Sequence, residues 1–410
     1  MNKILAFVNT NKIFNNILLY LILIFCFEPK LFVKFSALNY LYVAGIILSA
    51  IFISIKYIII KKKPNAITFI LIAYQLSYGL QTIIAHGDIL MWGYLSIVLF
   101  TLSMVIPYYI QIDKIKCLNS IVYVLCALLV VNTIISFIFP NGIIDEIYFI
   151  GIRTRFTDVV FPLVVLTLIV DKLNGKRIGA LSVFVIILSA FTILKFKIAT
   201  AYIGAFVFIL CLLIFFIIIR RVKVNSAVAF GSIIIAALIL NNLLVSNVII
   251  NAFSWLIEGV LGKSITLSGR TNIWEVAIDI VIKKPVFGYG MYENGNFIWL
   301  TEGGEYWESV PWQAHNQWLQ ILHDGGSFSL IIFCLLFVYA AFKIDFINCT
   351  WIKTVLYAGF IAFIVQMFVE IYSYTPYFYL LPIVASQGEY IGKKDKRLIY
   401  KNYFSKKLEI

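Results

Sequence analysis

The sequence predicts an all-α polytopic membrane protein of about twelve transmembrane helices, with a large outer loop between the ninth and tenth. Composition is the first reason: 62% of residues are hydrophobic, 13% are charged, and the mean hydropathy is +0.96. Soluble globular domains are only about half apolar. The second reason is that the apolar runs are continuous rather than alternating, which favours helices over a barrel. The third is the sidedness of charge. With the N-terminus in the cytoplasm, 22 Lys and Arg fall on inner segments and 10 on outer ones, as the positive-inside rule requires.

About 20 apolar residues cross a hydrocarbon core, and twelve runs approach that length: 12–28, 37–60, 65–85, 89–110, 117–139, 157–171, 178–194, 198–219, 226–246, 326–342, 353–371 and 374–391. The first is followed by Phe27-Glu28-Pro29-Lys30 rather than a small-residue cleavage pattern, so it reads as a retained helix. Lys61-Lys62-Lys63, Arg220-Arg221 and the cluster from Lys393 to Arg397 are inner anchors that meet anionic headgroups. They account for most of the net charge of +13, and no nucleic-acid partner is expected. The six cysteines lie in spans or on the inner side without a C-x-x-C pair, so neither a disulfide nor a zinc site is expected. No internal repeat or low-complexity linker divides the chain. Residues 1–410 read as a single integral membrane domain, and 248–325 as an extracytoplasmic (periplasmic) loop inserted into it.

That loop contains a polar island, Ser268 to Gly326. Asn272 to Lys284 has the pattern of an amphipathic helix, with Asn272 as cap, Glu275 at N3 and Pro285 ending it. Arg270 then sits beside free backbone N–H groups, an arrangement suited to phosphate. The alternative is an arginine bonded to a loop carboxylate or to carbonyls. Gly288-Tyr289-Gly290 reads as a tight turn back to the membrane. Pro311 to Leu322 reads as a second helix closed by Asp324-Gly325-Gly326, with His315, Trp318, Leu319 and Leu322 on one face. A histidine on such a face is ordinarily a packing residue. This one lies between Gln313 and Asn316 at the membrane boundary, and a desolvated imidazole beside a cation stays neutral and can take a proton from a hydroxyl. Trp307, Trp312 and Asn316 are candidate glycan contacts, though the aromatics also fit an interfacial belt. Outer cations near helix ends oppose the topology rule. Arg153, Arg155, Lys195 and Lys197 either snorkel to headgroups or converge with Arg270 on a lipid-linked pyrophosphate. No metal constellation stands out.

The run Ser268-Gly269-Arg270, Trp274, Lys284-Pro285-Val286-Phe287-Gly288-Tyr289-Gly290, Ala314-His315-Asn316, Leu319, Leu322 and Gly325-Gly326 resembles the bacterial superfamily of O-antigen ligases and O-antigen or capsule polysaccharide polymerases. The likeness covers about sixty residues and extends weakly to the twelve-helix layout. It implies an undecaprenyl-pyrophosphate-linked oligosaccharide as donor, transferred to a sugar hydroxyl at the outer face of the bacterial cytoplasmic (inner) membrane, with both termini cytoplasmic and no metal or other cofactor. The loop arginine of the family maps onto Arg270 and the histidine of its Ala-His-Asn motif onto His315. Its arginine entering the middle helices fits Arg155 better than Arg153. Lys197 stands where many members carry Ser-Arg, a point charge in place of a fork. In the implied mechanism Arg270, Arg155 and Lys197 hold the pyrophosphate and His315 deprotonates the acceptor. The bilayer and a chain-length regulator protein are the implied partners. Polymerisation of lipid-linked units is the preferred reaction and ligation to lipid A-core the alternative. A flippase or transporter is the competing class, disfavoured by the missing two-fold repeat and the scarcity of charge within the spans.

Overall fold

The computed structural model describes residues 12–221, 225–246, 270–291 and 313–393, with the single positions 248 and 255. Among these residues the named elements are all helical. In chain order they are α1 (Lys12–Cys26), α2 (Lys30–Val33), α3 (Ser36–Ile59), α4 (Ala66–Ile84), α5 (Ile89–Ile138), α6 (Phe156–Leu173), α7 (Ala180–Phe196) and α8 (Ala199–Arg221), followed by α9 (Ser226–Val245), α10 (Arg270–Lys283), α11 (Gln317–Ile344), α12 (Thr350–Gln366), α13 (Leu380–Ala385) and α14 (Gly388–Ile391). Six of them are long and apolar enough to cross a membrane, and three shorter apolar helices lie beside them. Large apolar side chains such as Leu80, Phe206, Leu213 and Ile239 are exposed on the flanks, as in a body whose solvent is lipid.

The two spans expected over 89–110 and 117–139 are the halves of α5. Asp113 breaks that run at φ −153°, ψ 91°, and the Cys117 thiol reaches the Ile106 carbonyl at 3.8 Å. Eleven residues of straight helix would hold those groups roughly 16 Å apart, so α5 is a helical hairpin.

Helix ends collect at two faces. At one, Asp345 accepts from Ser226, Lys343 pairs with Glu389, Asn65 bonds Gln387 and Lys114 bonds the carbonyls of Tyr390 and Ile391. At the other, Asp88 N–H donates to the Met291 carbonyl, Leu31 N–H to Phe149, Lys195 to Ser136 and Gln317 N–H to Met367. The second face is the one expected outside, and it carries the polar island.

Three expectations need correction. The run 374–391 is not one helix: it passes from the face of Gln317 to that of Glu389, but 367–379 is a series of turns, and only Leu380–Ala385 and Gly388–Ile391 are helical. Pro376 lacks an N–H and disfavours α geometry at Thr375. The segment is buried all the same, with Tyr372, Phe378 and Tyr379 packed among Phe333, Phe337 and Phe363. Secondly, Asn272 does not cap its helix. α10 is already helical at Arg270, and the Asn272 amide oxygen accepts from the Thr271 hydroxyl at 3.3 Å. Thirdly, His315 is not on a helix face, because α11 begins at Gln317 with Asn316 as cap.

Candidate active site

The site is built around the turn 313–317. Asn316 is fully buried and caps α11: its Oδ1 accepts from the N–H groups of Trp318 and Leu319 at 3.0 and 3.1 Å. Its Nδ2 donates to Asn241 Oδ1 at 2.7 Å and to the Phe368 carbonyl at 3.1 Å. With both protons and both lone-pair directions engaged, a sugar contact by this amide requires breaking one of these bonds. Ala314 is held equally firmly, its N–H on Gln320 Oε1 and its carbonyl on Trp274 Nε1, both at 3.0 Å. Clamped on both sides, His315 takes a left-handed backbone at φ 46°. That conformation is uncommon for a residue bearing a Cβ and is imposed here by its surroundings.

The His315 ring lies mostly out of solvent, and its Nδ1 has no hydrogen-bond partner among the described residues. Burial, then the charges of Arg270 and Arg155, bring its pKa down to about 4. The imidazole is therefore neutral at ordinary pH. Both arginines are thus near enough to act on the ring through their charge. Arg270, at the first turn of α10, donates Nη2 to Glu370 Oε1 at 3.0 Å. Arg155 precedes α6 and donates Nη2 to Gln313 Oε1 at 3.0 Å and Nη1 to the Ile371 carbonyl, with Asp158 at 3.9 Å. Arg153, two residues away, is exposed. Lys197 ends α7 as an exposed left-handed cap at φ 49°, whereas the Lys195 ammonium is committed to Ser136 and the Phe137 ring. Trp307 and Trp312 lie outside the described residues. Among the described residues, no group of three His, Cys, Asp or Glu side chains could hold a metal.

The turn thus carries a neutral, partly desolvated imidazole within electrostatic reach of two arginines. Residues 162–334 match the family model described as O-Antigen ligase, a stretch that includes Arg270 and His315. This part of the chain is similar to the O-antigen ligase family. A Rickettsia conorii protein named "Putative polysaccharide ligase" is 31% identical over 110 residues, which are 25% of this chain and 26% of that one. This chain thus aligns with about a quarter of that relative's length.

Within the matched stretch, the motifs around the two glycine pairs are structural. Gly325 and Gly326 break α11, with Gly326 at φ 63°. The segment after α10 replaces the lost ladder. Tyr289 and Gly290 donate to the carbonyls of His323 and Asp324, while Ser327 and Phe328 donate to those of Pro285 and Val286. A Cβ on Gly326 would sit 2.2 Å from the Val286 carbonyl, and one on Gly288 would sit 2.3 Å from that of His323. The expected tight turn is thus a clasp fastening α10 to α11.

Sequence reasoning overlooked the 367–373 segment, which supplies half the site. Gln317 grips it, accepting from the N–H groups of Tyr372 and Ser373 and donating to the Ser373 hydroxyl. Its one acid, Glu370, is buried against Arg270. A lone glutamate inside an apolar run predicted as a span was the available signal.

Proposed function

We propose that this protein is a membrane glycosyltransferase that polymerises glycan repeats. It transfers an undecaprenyl-pyrophosphate-linked glycan to the sugar hydroxyl of a second lipid-linked unit at the outer face of the cytoplasmic membrane. The observation that carries this reading is that Arg155, bonded to Gln313 and the Ile371 carbonyl, and Arg270, bonded to Glu370, sit on the two turns that hold a neutral His315. Two guanidinium groups with N–H donors to spare suit a pyrophosphate and stabilise the charge that develops as it leaves. Exposed Lys197, at the same face, adds a point charge.

The His315 ring takes the proton of the acceptor hydroxyl, whose oxygen attacks the anomeric carbon. The bond from that carbon to the pyrophosphate breaks, and the lipid pyrophosphate leaves with its electron pair. By itself His315 is a weak base, because burial and then the charges of both arginines oppose its protonation. The donor's negative charge offsets them and raises ring basicity only when substrate is in place. Ligation to lipid A-core is the second reading. It requires the same chemistry at the same residues, and it is the reaction for which the matched family and relative are named.

Variants at His315 separate these readings from transport and from packing. With His315→Ala at matched protein levels, lipid-linked single units should accumulate on the outer face and longer products should vanish, a rate loss of about 10²–10⁴. Accumulation on the inner face would indicate a transporter. Long glycan made by His315→Gln at a near wild-type rate would remove His315 from the mechanism. Products bearing lipid A-core rather than repeat polymer would establish ligation.

A further inference from the structure

Glu370 is a problem for any anion-binding pocket. It is 6% exposed, lies in the turn just after α12, and its Oε1 is 3.0 Å from the guanidinium that should meet the donor. Asp158, equally buried, stands 3.9 Å from Arg155. Arg270 in particular is therefore accompanied by an acid that repels a pyrophosphate. A carboxylate that merely neutralised Arg270 would be expected to chelate it through two parallel bonds. Here the bond runs through Nη2 alone, and Arg270 remains 23% exposed at its side chain. The guanidinium has five N–H donors in a rigid fork, so this contact fixes its plane while sparing most of its hydrogen-bonding capacity. Leaving the fork without an anion in the empty site would cost more than the repulsion, because a desolvated unpaired charge is strongly unfavourable.

We infer that Glu370 is the positioning residue of Arg270: it sets the aim of the fork through one N–H and acts as the pocket's own counter-anion while the donor is absent. The inference rests on the reading that Arg270 holds the donor pyrophosphate. Glu370 touches neither donor nor acceptor. Donor binding is then an exchange in which Arg270 keeps one bond to Glu370 and gives its remaining donors to phosphate oxygens.

This role moves affinity and turnover in opposite directions, which a merely structural ion pair would not do. Glu370→Gln still offers a carbonyl to Nη2 but removes one negative charge. The purified variant should bind inorganic pyrophosphate about 3–10-fold more tightly, with KM for the lipid-linked donor lowered in step. Its kcat should fall about 10–100-fold because the fork is less firmly aimed. Glu370→Asp, which keeps the charge, should restore wild-type pyrophosphate affinity and part of the turnover. In an Arg270→Gln background, Glu370→Gln should leave the residual kcat unchanged, since it acts through Arg270.

Unchanged or weakened pyrophosphate binding by folded Glu370→Gln would overturn the inference, as would an equal loss of kcat in the Arg270→Gln background. A Glu370→Gln protein that fails to fold but is rescued in the double variant would reduce the pair to a structural contact and overturn it too. Pyrophosphate affinity untouched by Arg270→Gln is a different failure: it removes the underlying reading of Arg270, and the inference with it.

Discussion

Protonation of His315 offers a direct physical test of the site. Its ring titrates at about 4 in the folded protein, against the ordinary value of 6.5, through burial and the two neighbouring arginines. Between those values the unfolded chain holds a proton that the folded chain rejects. The contribution to stability is complete above about pH 6.5 and is lost as pH falls toward 4. A gap of about 2.5 units at 1.36 kcal/mol each gives about 2 kcal/mol lost by pH 5 and about 3 by pH 4. For a chain this long that is an apparent Tm difference of about 3–4 °C. Thermal unfolding of wild type and His315→Gln, purified in detergent between pH 7.5 and 4, isolates the effect, because carboxylate titrations are common to both. Wild type should lose Tm relative to the variant as pH drops, and inorganic pyrophosphate should shrink that loss by shielding the arginines. Parallel curves down to pH 4 would mean that the arginines do not crowd the ring, and the proposed substrate-dependent basicity would fall.

Other outcomes can be checked alongside. Asn316→Ala removes four buried hydrogen bonds and a helix cap, and should cost about 3–5 kcal/mol, seen as lower Tm and yield. Asn316→Asp keeps the cap and should lie between. Gly326→Ala, strained at φ 63° and pressed on Val286, should cost about 2–4 kcal/mol in unfolding measurements. Arg155→Lys keeps the charge but cannot reach both Gln313 and the Ile371 carbonyl, and should lower turnover about 10²-fold in glycan-length assays. For orientation, a cysteine at exposed Glu146 should react with an impermeant thiol reagent in spheroplasts, whereas one at exposed Asn174 should not. Reversed labelling would refute the outer placement of the site.

Much of this arrangement was legible because the signals were local. Continuous apolar runs give the helices, and the Ala314-His315-Asn316 and Arg270 motifs mark the two loop elements of the site. The choice between Arg153 and Arg155 was not local. It depends on Gln313 and the Ile371 carbonyl, which lie 158 and 216 residues away in sequence. The 367–379 turns were hidden for a related reason. Their apolarity reports burial, and burial among Phe333, Phe337 and Phe363 looks the same in sequence as a lipid-facing helix. Tertiary bonds from Gln317, Asn316 and Arg155 allow that backbone to stay irregular in an apolar interior. Asn316 likewise offered an amide suited to sugars, and its four partners become visible only once α9 and the 367–373 turn are in place.

The clasp between the 285–291 segment and α11 bears on how such a protein can diversify. Met291 is fastened to Thr82 and Asp88, and Gln313 to Arg155. The stretch that joins them therefore leaves and re-enters the site at two fixed posts. Among the described contacts, Arg270 is held by Glu370, and His315 by the bonds of its neighbours Ala314 and Asn316. A chimera between relatives that keeps both posts keeps these bonds, so Met291 and Gln313 act as punctuation that any new text between them must respect.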